Sequence, residues 1–209
     1  SGGIAGVKDK AIDIGVISRE ITATQNTDNI QYLAIASSPL LLITNETVEG
    51  VANLNAEQIR AIYSGEITNW QELGGPDAEI IILDIPEDEN EKKVLREHYL
   101  GEELNVTPKA VIFAEDDEIL EAAASTPFSI GPIALSKEVE ELPVNILTLD
   151  GVAPTVANIN TGKYKLTQTI GIVFRSETTD AVGDFVDFIQ SEEAKPKLEE
   201  AGYVVLNNS

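Results

Sequence analysis

Three short groups of polar residues in this chain are placed to meet an anion. Ser1, Gly2 and Gly3 stand directly before an apolar-periodic segment. Their amides and the Ser1 hydroxyl would face a negative charge at a helix N-terminus, where unsatisfied N–H groups point outward. A generic flexible terminus explains Ser-Gly-Gly as simply. Ser18 and Arg19 follow the apolar stretch Ile12 to Ile17, so they sit at the carboxyl end of a predicted strand, where open α/β sheets put their ligands. The Arg19 guanidinium can grip an oxyanion with two parallel N–H donors, and a surface ion pair with Glu20 is the other use for it. Ser37 and Ser38 precede the apolar run Pro39 to Thr44; they either line a site or turn the chain into Pro39.

Enzymatic chemistry is poorly supplied. His98 is the only histidine and falls in the charged run Glu91-Lys-Lys-Val-Leu-Arg-Glu-His-Tyr99, whose plain reading is a solvated helix face. Cysteine is absent, which excludes disulfides, thiolate metal sites and Cys-His nucleophile pairs, and one histidine cannot form a histidine metal cluster. No Gly-x-x-x-x-Gly-Lys-Ser/Thr phosphate loop is present. With 36 acidic residues, any chosen carboxylate pair says nothing about glycosidase-like chemistry. The expectation is a protein that is not an enzyme and needs no cofactor and no metal.

The elements that must position these groups come from composition and periodicity. A chain of 209 residues, 43% hydrophobic, can bury a sizeable core in one or two domains. Its formal charge of -22, from 36 acidic and 14 basic residues, excludes nucleic acid as a partner, because the phosphates would be repelled. An anion ligand has to be caught by local amide and hydroxyl dipoles, and the acidity as a whole reads as a solubilising surface. The longest apolar runs, Ile80 to Leu83 and Leu40 to Ile43, are far too short to span a bilayer, so no membrane insertion by this segment is expected.

Periodicity predicts helices over 4–11, 55–64, 89–99, 115–124, 180–191 and 193–201, and strands over 12–17, 39–44, 79–83, 110–113, 129–135, 145–149 and 169–174. Strands interleaved with helices imply parallel, helix-covered sheets. The best-marked element is the helix that begins after Asn55. Asn55 can cap its first turn with Gln58 in capping-box position, Ile59, Ile62 and Tyr63 form its apolar stripe, and Gly65 suits the left-handed residue that ends it. Ile67, the only tryptophan Trp70, and the turn Gly74-Gly75-Pro76-Asp77 follow.

That stretch, Leu54 to Gly75, resembles the "I-F-x-G-x-I-x-N-W" segment of the phosphate-binding proteins, the extracytoplasmic solute receptors of ATP-driven phosphate importers. Three other regions agree in order: Ser1 to Arg19; Pro127-Phe-Ser-Ile-Gly-Pro-Ile133; and Asn158 to Leu206. The last contains Gly162-Lys-Tyr-Lys-Leu166, Phe185-Val-Asp-Phe-Ile189 and Gly202-Tyr-Val-Val-Leu206. The likeness covers most of the chain.

The resemblance implies a two-lobed α/β fold of the type II periplasmic-binding-protein kind, each lobe a helix-covered, mostly parallel sheet, joined by two crossing strands. Residues 1–44 with 170–209 would form lobe 1 and residues 45–169 lobe 2. It implies phosphate or another small oxyanion bound between the lobes, delivery to the membrane permease of an ABC importer, and an extracytoplasmic location. The implied ligand-binding set is Ser1, Gly2, Gly3, Ser18, Arg19, Ser37 and Ser38, with Asp84 and Asn90 from the other lobe.

Two departures from the family pattern stand out. Its members begin with a strand and helix carrying a Gly-Ser/Thr-rich anion loop, and this sequence starts after that unit, so a shortened or processed form is expected. Where the family has an arginine and a Gly-Ser-Gly-Thr helix start, this chain has Leu83-Asp-Ile-Pro-Glu-Asp-Glu-Asn90. Carboxylates several ångströms from a dianion repel it by about 1–4 kcal/mol each. Either this segment is turned away and Thr126, Ser129 or Thr155 supply donors instead, or the fold has lost phosphate and serves as a sensor or protein-interaction domain.

Overall fold

The computed structural model describes residues 2–22, 29–177 and 179–206. In chain order the elements begin with α1 (Gly2–Lys8), β1 (Ile14–Ile17), β2 (Ile30–Asn45), β3 (Asn53–Leu54), α2 (Ala56–Ser64), β4 (Ile81–Asp84), α3 (Asn90–Leu95), β5 (Val111–Ile112) and α4 (Asp116–Ser125). They continue with β6 (Ser129–Ala134), β7 (Val144–Ile146), β8 (Thr148–Leu149), α5 (Val156–Asn160), β9 (Thr167–Arg175), α6 (Asp180–Ile189), α7 (Lys195–Glu200) and β10 (Val204–Val205). Tight 3-10 turns at Trp70–Leu73 and Lys137–Glu141 and a wide π turn at Arg96–Leu100 complete them. The chain divides into two units, residues 1–38 with 168–209 and residues 39–167. The resemblance puts the same breaks after residues 44 and 169.

In unit 1 the strand order is β1-β9-β2, with β10 also on β2. β1 runs antiparallel to β9, from Ile14 opposite Phe174 to Ile17 opposite Gly171. β10 runs antiparallel to β2, with Val204 opposite Ser37. Ile4 and Val7 of α1 pack with Ile17, Ile30 and Val173 as the core of this unit.

In unit 2 the second part of β2 pairs with β6 and β7, both antiparallel, while β4 lies parallel to β6 and β5. A separate parallel pair joins β3 and β8. Leu41, Ile43, Leu83, Ile85, Ile119, Leu120 and Ile133 fill the core between these strands and α4. The pairing is therefore mixed, and the expectation of mostly parallel sheets is corrected. Parallel neighbours need a crossover, and the β4–α3–β5 and β5–α4–β6 stretches supply it, whereas β2 joins its partners with reversed direction. The predicted strand 145–149 is two strands, because buried Leu147 sends its amide to the Leu42 carbonyl and the chain then leaves β2 for β3.

The residues that carry the family resemblance turn out to hold these elements in place. Asn55 Oδ1 accepts from the Gln58 amide, Gln58 Oε1 accepts in return from the Asn55 amide, and Gly65 ends α2 at φ 82°, as the sequence predicts. The Trp70 indole is fully buried and donates to the Phe128 carbonyl at 2.8 Å, while the Phe128 amide donates to Thr47 Oγ1 at 2.8 Å. Those two bonds brace Phe128, whose φ of 62° is uncommon for a residue with a side chain. Buried Tyr164 donates to the Leu40 carbonyl at 2.8 Å. No helix among the described residues is long and apolar enough to cross a membrane.

Candidate functional site

Unit 1 sets Gly2 and Gly3 close to the end of β1. Gly2 and Gly3 lie inside α1 rather than ahead of it, and α1 packs on β1 so closely that a Cβ on Gly3 would stand 2.9 Å from the Val16 carbonyl oxygen. A Cβ on Gly15 would meet the Gly3 carbonyl at 2.6 Å. Only glycine at both places lets this helix approach this strand. The opening turn of α1 is thereby set beside the end of β1, from which Ser18 and Arg19 follow, both half-buried. The Arg19 guanidinium donates to the Glu20 carbonyl at 2.8 Å, so its bond to Glu20 goes to the backbone. Ser1 lies outside the described residues.

Ser37 and Ser38 lie in β2, which β9 separates from β1 in the strand order of this unit. Ser37 is buried opposite Val204, and Ser38 is half-buried at the last position before unit 2. A cavity of about 550 Å³ in unit 1 lies at the other end of α1, lined by Val7, Lys8, Lys10, Arg175 and Glu177 among others. None of the sequence-predicted residues among those described lines it. Its Arg175 is already spent on the Ile12 carbonyl at 3.1 Å and the Asp13 carboxylate at 2.6 Å.

In unit 2, Asp84 ends β4 and Asn90 opens α3, so the acidic segment is a strand-to-helix connection. Its charge is largely spent inside the unit. Asp84 is buried, and its two carboxylate oxygens accept from Lys92 Nζ at 2.7 and 2.5 Å. Lys92 is itself 0% exposed, stands 3.7 Å from Glu87 Oε1, and lies over the Tyr63 ring at 5.4 Å. Glu87 takes a two-pronged contact from Arg96, at 2.6 and 2.7 Å. Lys93 Nζ donates to the Asp88 carbonyl at 2.5 Å. Three successive basic residues thus reach back onto the connection that precedes their helix.

The titration behaviour follows from these contacts. Burial raises the Asp84 pKa, and the Lys92 ammonium and the Ile85 amide pull against that rise. Glu87 is held below the ordinary carboxylate range chiefly by its bond to Arg96. The predicted helix 89–99 is an α-helix only to Leu95; from Arg96 it widens into the π turn, which lets the Arg96 guanidinium also cap the Gly101 and Leu104 carbonyls at 2.9 and 3.1 Å. Of the alternative donors, Ser129 is buried and bonded at 3.4 Å to the Ala123 carbonyl, and Thr155 caps α5. Thr126 ends α4.

Sequence reasoning missed Lys92 and Arg96. Both sit in the run read as a solvated face, and their partners are eight and nine residues back across a loop, a spacing with no helical or strand period. The one available signal was compositional: a cluster of acids at 84–89 followed at once by Lys92, Lys93 and Arg96.

Comparisons with known proteins agree over nearly the whole chain. The model of the PBP superfamily domain matches residues 1–193. The chain is 29% identical over 211 residues to the phosphate-binding protein PstS of Borreliella burgdorferi, a match covering 97% of this chain and 75% of that protein. Identity to PstS of Bacillus subtilis is 28% over 158 residues, covering 74% of this chain and 51% of that one. Among solved structures, a Clostridium perfringens protein described as a phosphate ABC transporter substrate-binding protein, with phosphate bound, matches with a TM-score of 0.81 at 27% identity, over 99% of this chain and 84% of that one. An ABC-type phosphate transport receptor from Vibrio cholerae shares the fold, with a TM-score of 0.75 at 24% identity, over 97% and 84% of the two chains. With a family model spanning nearly its whole length and two units built as described, the chain belongs to the PBP superfamily and is a phosphate-binding-protein-like member with the type II fold.

Proposed function

We propose that this chain is the extracytoplasmic solute-binding component of an ABC importer, that it binds phosphate or a related oxyanion, and that it delivers this ligand to a membrane permease without catalysing a reaction. The observation that carries the reading is the match along 99% of the chain, at 27% identity and a TM-score of 0.81, to a protein with phosphate bound. The ligand shifts the protein toward the conformation it binds better, which is all a receptor of this kind requires. Gly2, Gly3, Ser18 and Arg19 are the proposed contacts of unit 1, with Ser37 and Ser38 of β2 as further candidates and Asn90 from unit 2. Asp84 serves through its pairing with Lys92 rather than by touching the ligand.

One observation favours a second reading. Asp88 and Glu89 are exposed and, among the described residues, no basic side chain is paired with either carboxylate, so the connection keeps some negative charge that an oxyanion would feel. On this reading the fold has given up oxyanions and acts as a sensor or protein-interaction domain. Calorimetric titration of the chain with phosphate, sulfate, molybdate and tungstate separates the two. Saturable heat with any of them supports the transport reading; no heat with all four overturns it and leaves the second.

A further inference from the structure

Unit 2 has an open groove of about 800 Å³ along β7, for which anion binding has no use. Buried Val48, Val51 and Val139 give it an apolar floor, and exposed Glu46, Glu49 and Glu140 give it a charged rim. No lysine or arginine lines it, and among the described residues none of these three carboxylates has an ion-pair partner. The cavity of unit 1, by contrast, is lined by Lys8, Lys10 and Arg175.

The groove also exposes a strand edge. Among the described residues β7 pairs with β2 alone. The Glu46 amide donates to the Pro143 carbonyl at 2.9 Å and the Leu147 amide to the Leu42 carbonyl at 3.0 Å, both across that antiparallel pair. Bonded and unbonded pairs alternate in such a ladder, so Asn145 bonds to Thr44 while the N–H and C=O of Ile146 point away from β2. The next amide on that outer edge, Thr148, is already taken by the Ala52 carbonyl at 3.0 Å, which brings residues 46–52 past the same edge as the facing wall. Asn145 Nδ2 ties this wall down through the Val48 carbonyl at 3.2 Å, and a Cβ on Gly50 would stand 2.9 Å from the Gly74 carbonyl oxygen. The groove is therefore built before anything enters it, and Ile146, 39% exposed, is its unpaired rung.

We propose that this groove docks an extended, cationic polypeptide segment of another protein, which adds to the outer edge of β7 at Ile146. Its apolar side chains meet the valine floor and its Lys or Arg side chains meet the glutamate rim, as in other strand additions where backbone bonds give affinity and side chains give specificity. The charge selects the partner. Nucleic acid and anionic lipid bring negative charge, and a second copy of this chain brings a formal -22, so all three are repelled. None of the groove's residues is a proposed anion contact, and the inference does not depend on the ligand the protein carries.

The test uses a fluorescein-labelled peptide of four Lys-Val repeats, titrated by anisotropy at physiological salt, where exposed charges more than about 8 Å apart are screened and the total charge of the chain counts for little. The expected result is saturable binding that weakens about tenfold or more in the double variant Glu49→Lys with Glu140→Lys. A second double variant, Glu97→Lys with Glu121→Lys, makes the same change in net charge at exposed positions outside the groove and should stay within about threefold of wild type. Saturating peptide should also slow amide exchange of Ile146, followed by NMR, by about tenfold or more, which loose electrostatic adherence would not do. No saturable binding, an equal loss in both double variants, or unchanged Ile146 exchange in the bound protein overturns the proposal. So does protection of Ile146 that grows with protein concentration in the absence of peptide, which makes a second copy the occupant. Phosphate enters neither readout, so failure here leaves the transport reading standing.

Discussion

Replacing Tyr164 by phenylalanine is the cleanest single perturbation of unit 2. The hydroxyl donates to the Leu40 carbonyl at 2.8 Å, and the Leu40 amide donates to the Leu166 carbonyl at 2.8 Å, so two residues of one short motif grip one residue of β2. The substitution removes a single oxygen from a side chain that is 1% exposed and leaves its apolar contacts in place. What is lost is one buried hydrogen bond, with a buried carbonyl left short of a donor, which costs about 1–3 kcal/mol. At the centre of that range, a chain of this size should melt roughly 4–8 °C lower. The pH dependence adds an independent check. Burial, followed by the neighbouring Tyr99, pushes the Tyr164 pKa well above its ordinary 10.0. A raised folded-state value means that the neutral phenol stabilises fully below the ordinary pKa, and that this contribution is lost as pH climbs above it. The gap between wild type and Tyr164→Phe should therefore be widest near neutrality and shrink above about pH 10. Thermal melts followed by far-ultraviolet circular dichroism read both quantities. A variant that melts within about 1 °C of wild type at neutral pH, or a gap that stays constant into alkaline solution, would refute the reasoning.

Other perturbations probe other joints. Gly15→Ala puts a methyl group 2.6 Å from the Gly3 carbonyl and must push α1 off β1, at a cost of about 1–3 kcal/mol; hydrogen exchange should speed up across residues 2–8 and stay unchanged in α2. Trp70→Phe breaks the 2.8 Å bond to the Phe128 carbonyl and leaves unfilled volume in a fully buried position, so urea denaturation should show a loss of about 2–4 kcal/mol. Tyr99, raised by burial and by its bond to Asp150 to about 12, stabilises fully below pH 10.0 and loses that contribution as pH rises through about 12. Tyr99→Phe should accordingly flatten the fall in urea midpoint across that window, and an equally steep fall in the variant would count against the assignment.

Elements were legible wherever their signals were local. The helix after Asn55 has its cap, its apolar stripe and its terminal glycine within eleven residues, and all three are as the sequence implies. β2 was half-legible: Leu40 to Ile43 reads as buried strand, but 30–38 alternates less cleanly and gains its strand character from neighbours distant in sequence, such as Val204 beside Ser37. The short strands β3, β5 and β10 are two residues each, and only β5 fell within a predicted strand, because their existence depends on a partner and not on any run of their own. The site followed the same rule. The close approach of α1 to β1 leaves a local trace, a glycine in each of the two elements that touch, although the sequence reading did not use it. The pairing of Asp84 with Lys92 leaves none, because a salt bridge across a loop has no period in the sequence.

That pairing changes how the acidity bears on an anion ligand. A formal charge of -22 suggests that any oxyanion should be driven off. At physiological salt, however, exposed charges are screened beyond about 8 Å, so the total matters less than the few groups nearest the ligand. Buried pairs are screened far less than exposed ones, and among the described residues the carboxylate withdrawn deepest from water, Asp84, has a fully buried counter-ion. Glu87, half-exposed, has its own in Arg96. The carboxylates of this connection that have no paired cation among the described residues, Asp88 and Glu89, are exposed, where water and salt weaken their field most. An acidic receptor can therefore hold an anion if its cations are spent on its buried acids. Salt should then act differently on wild type and on a protein lacking Lys92. Added salt relieves the modest repulsion from Asp88 and Glu89 in the wild type, and phosphate affinity rises slightly or holds. In Lys92→Met burial drives the Asp84 carboxyl toward its neutral form, so affinity is lost only at a pH high enough to ionise it, and there its charge lies beyond the reach of screening ions and affinity stays low at any ionic strength. Recovery of that variant to wild-type affinity in strong salt would show that Asp84 is open to solvent, contrary to the structure.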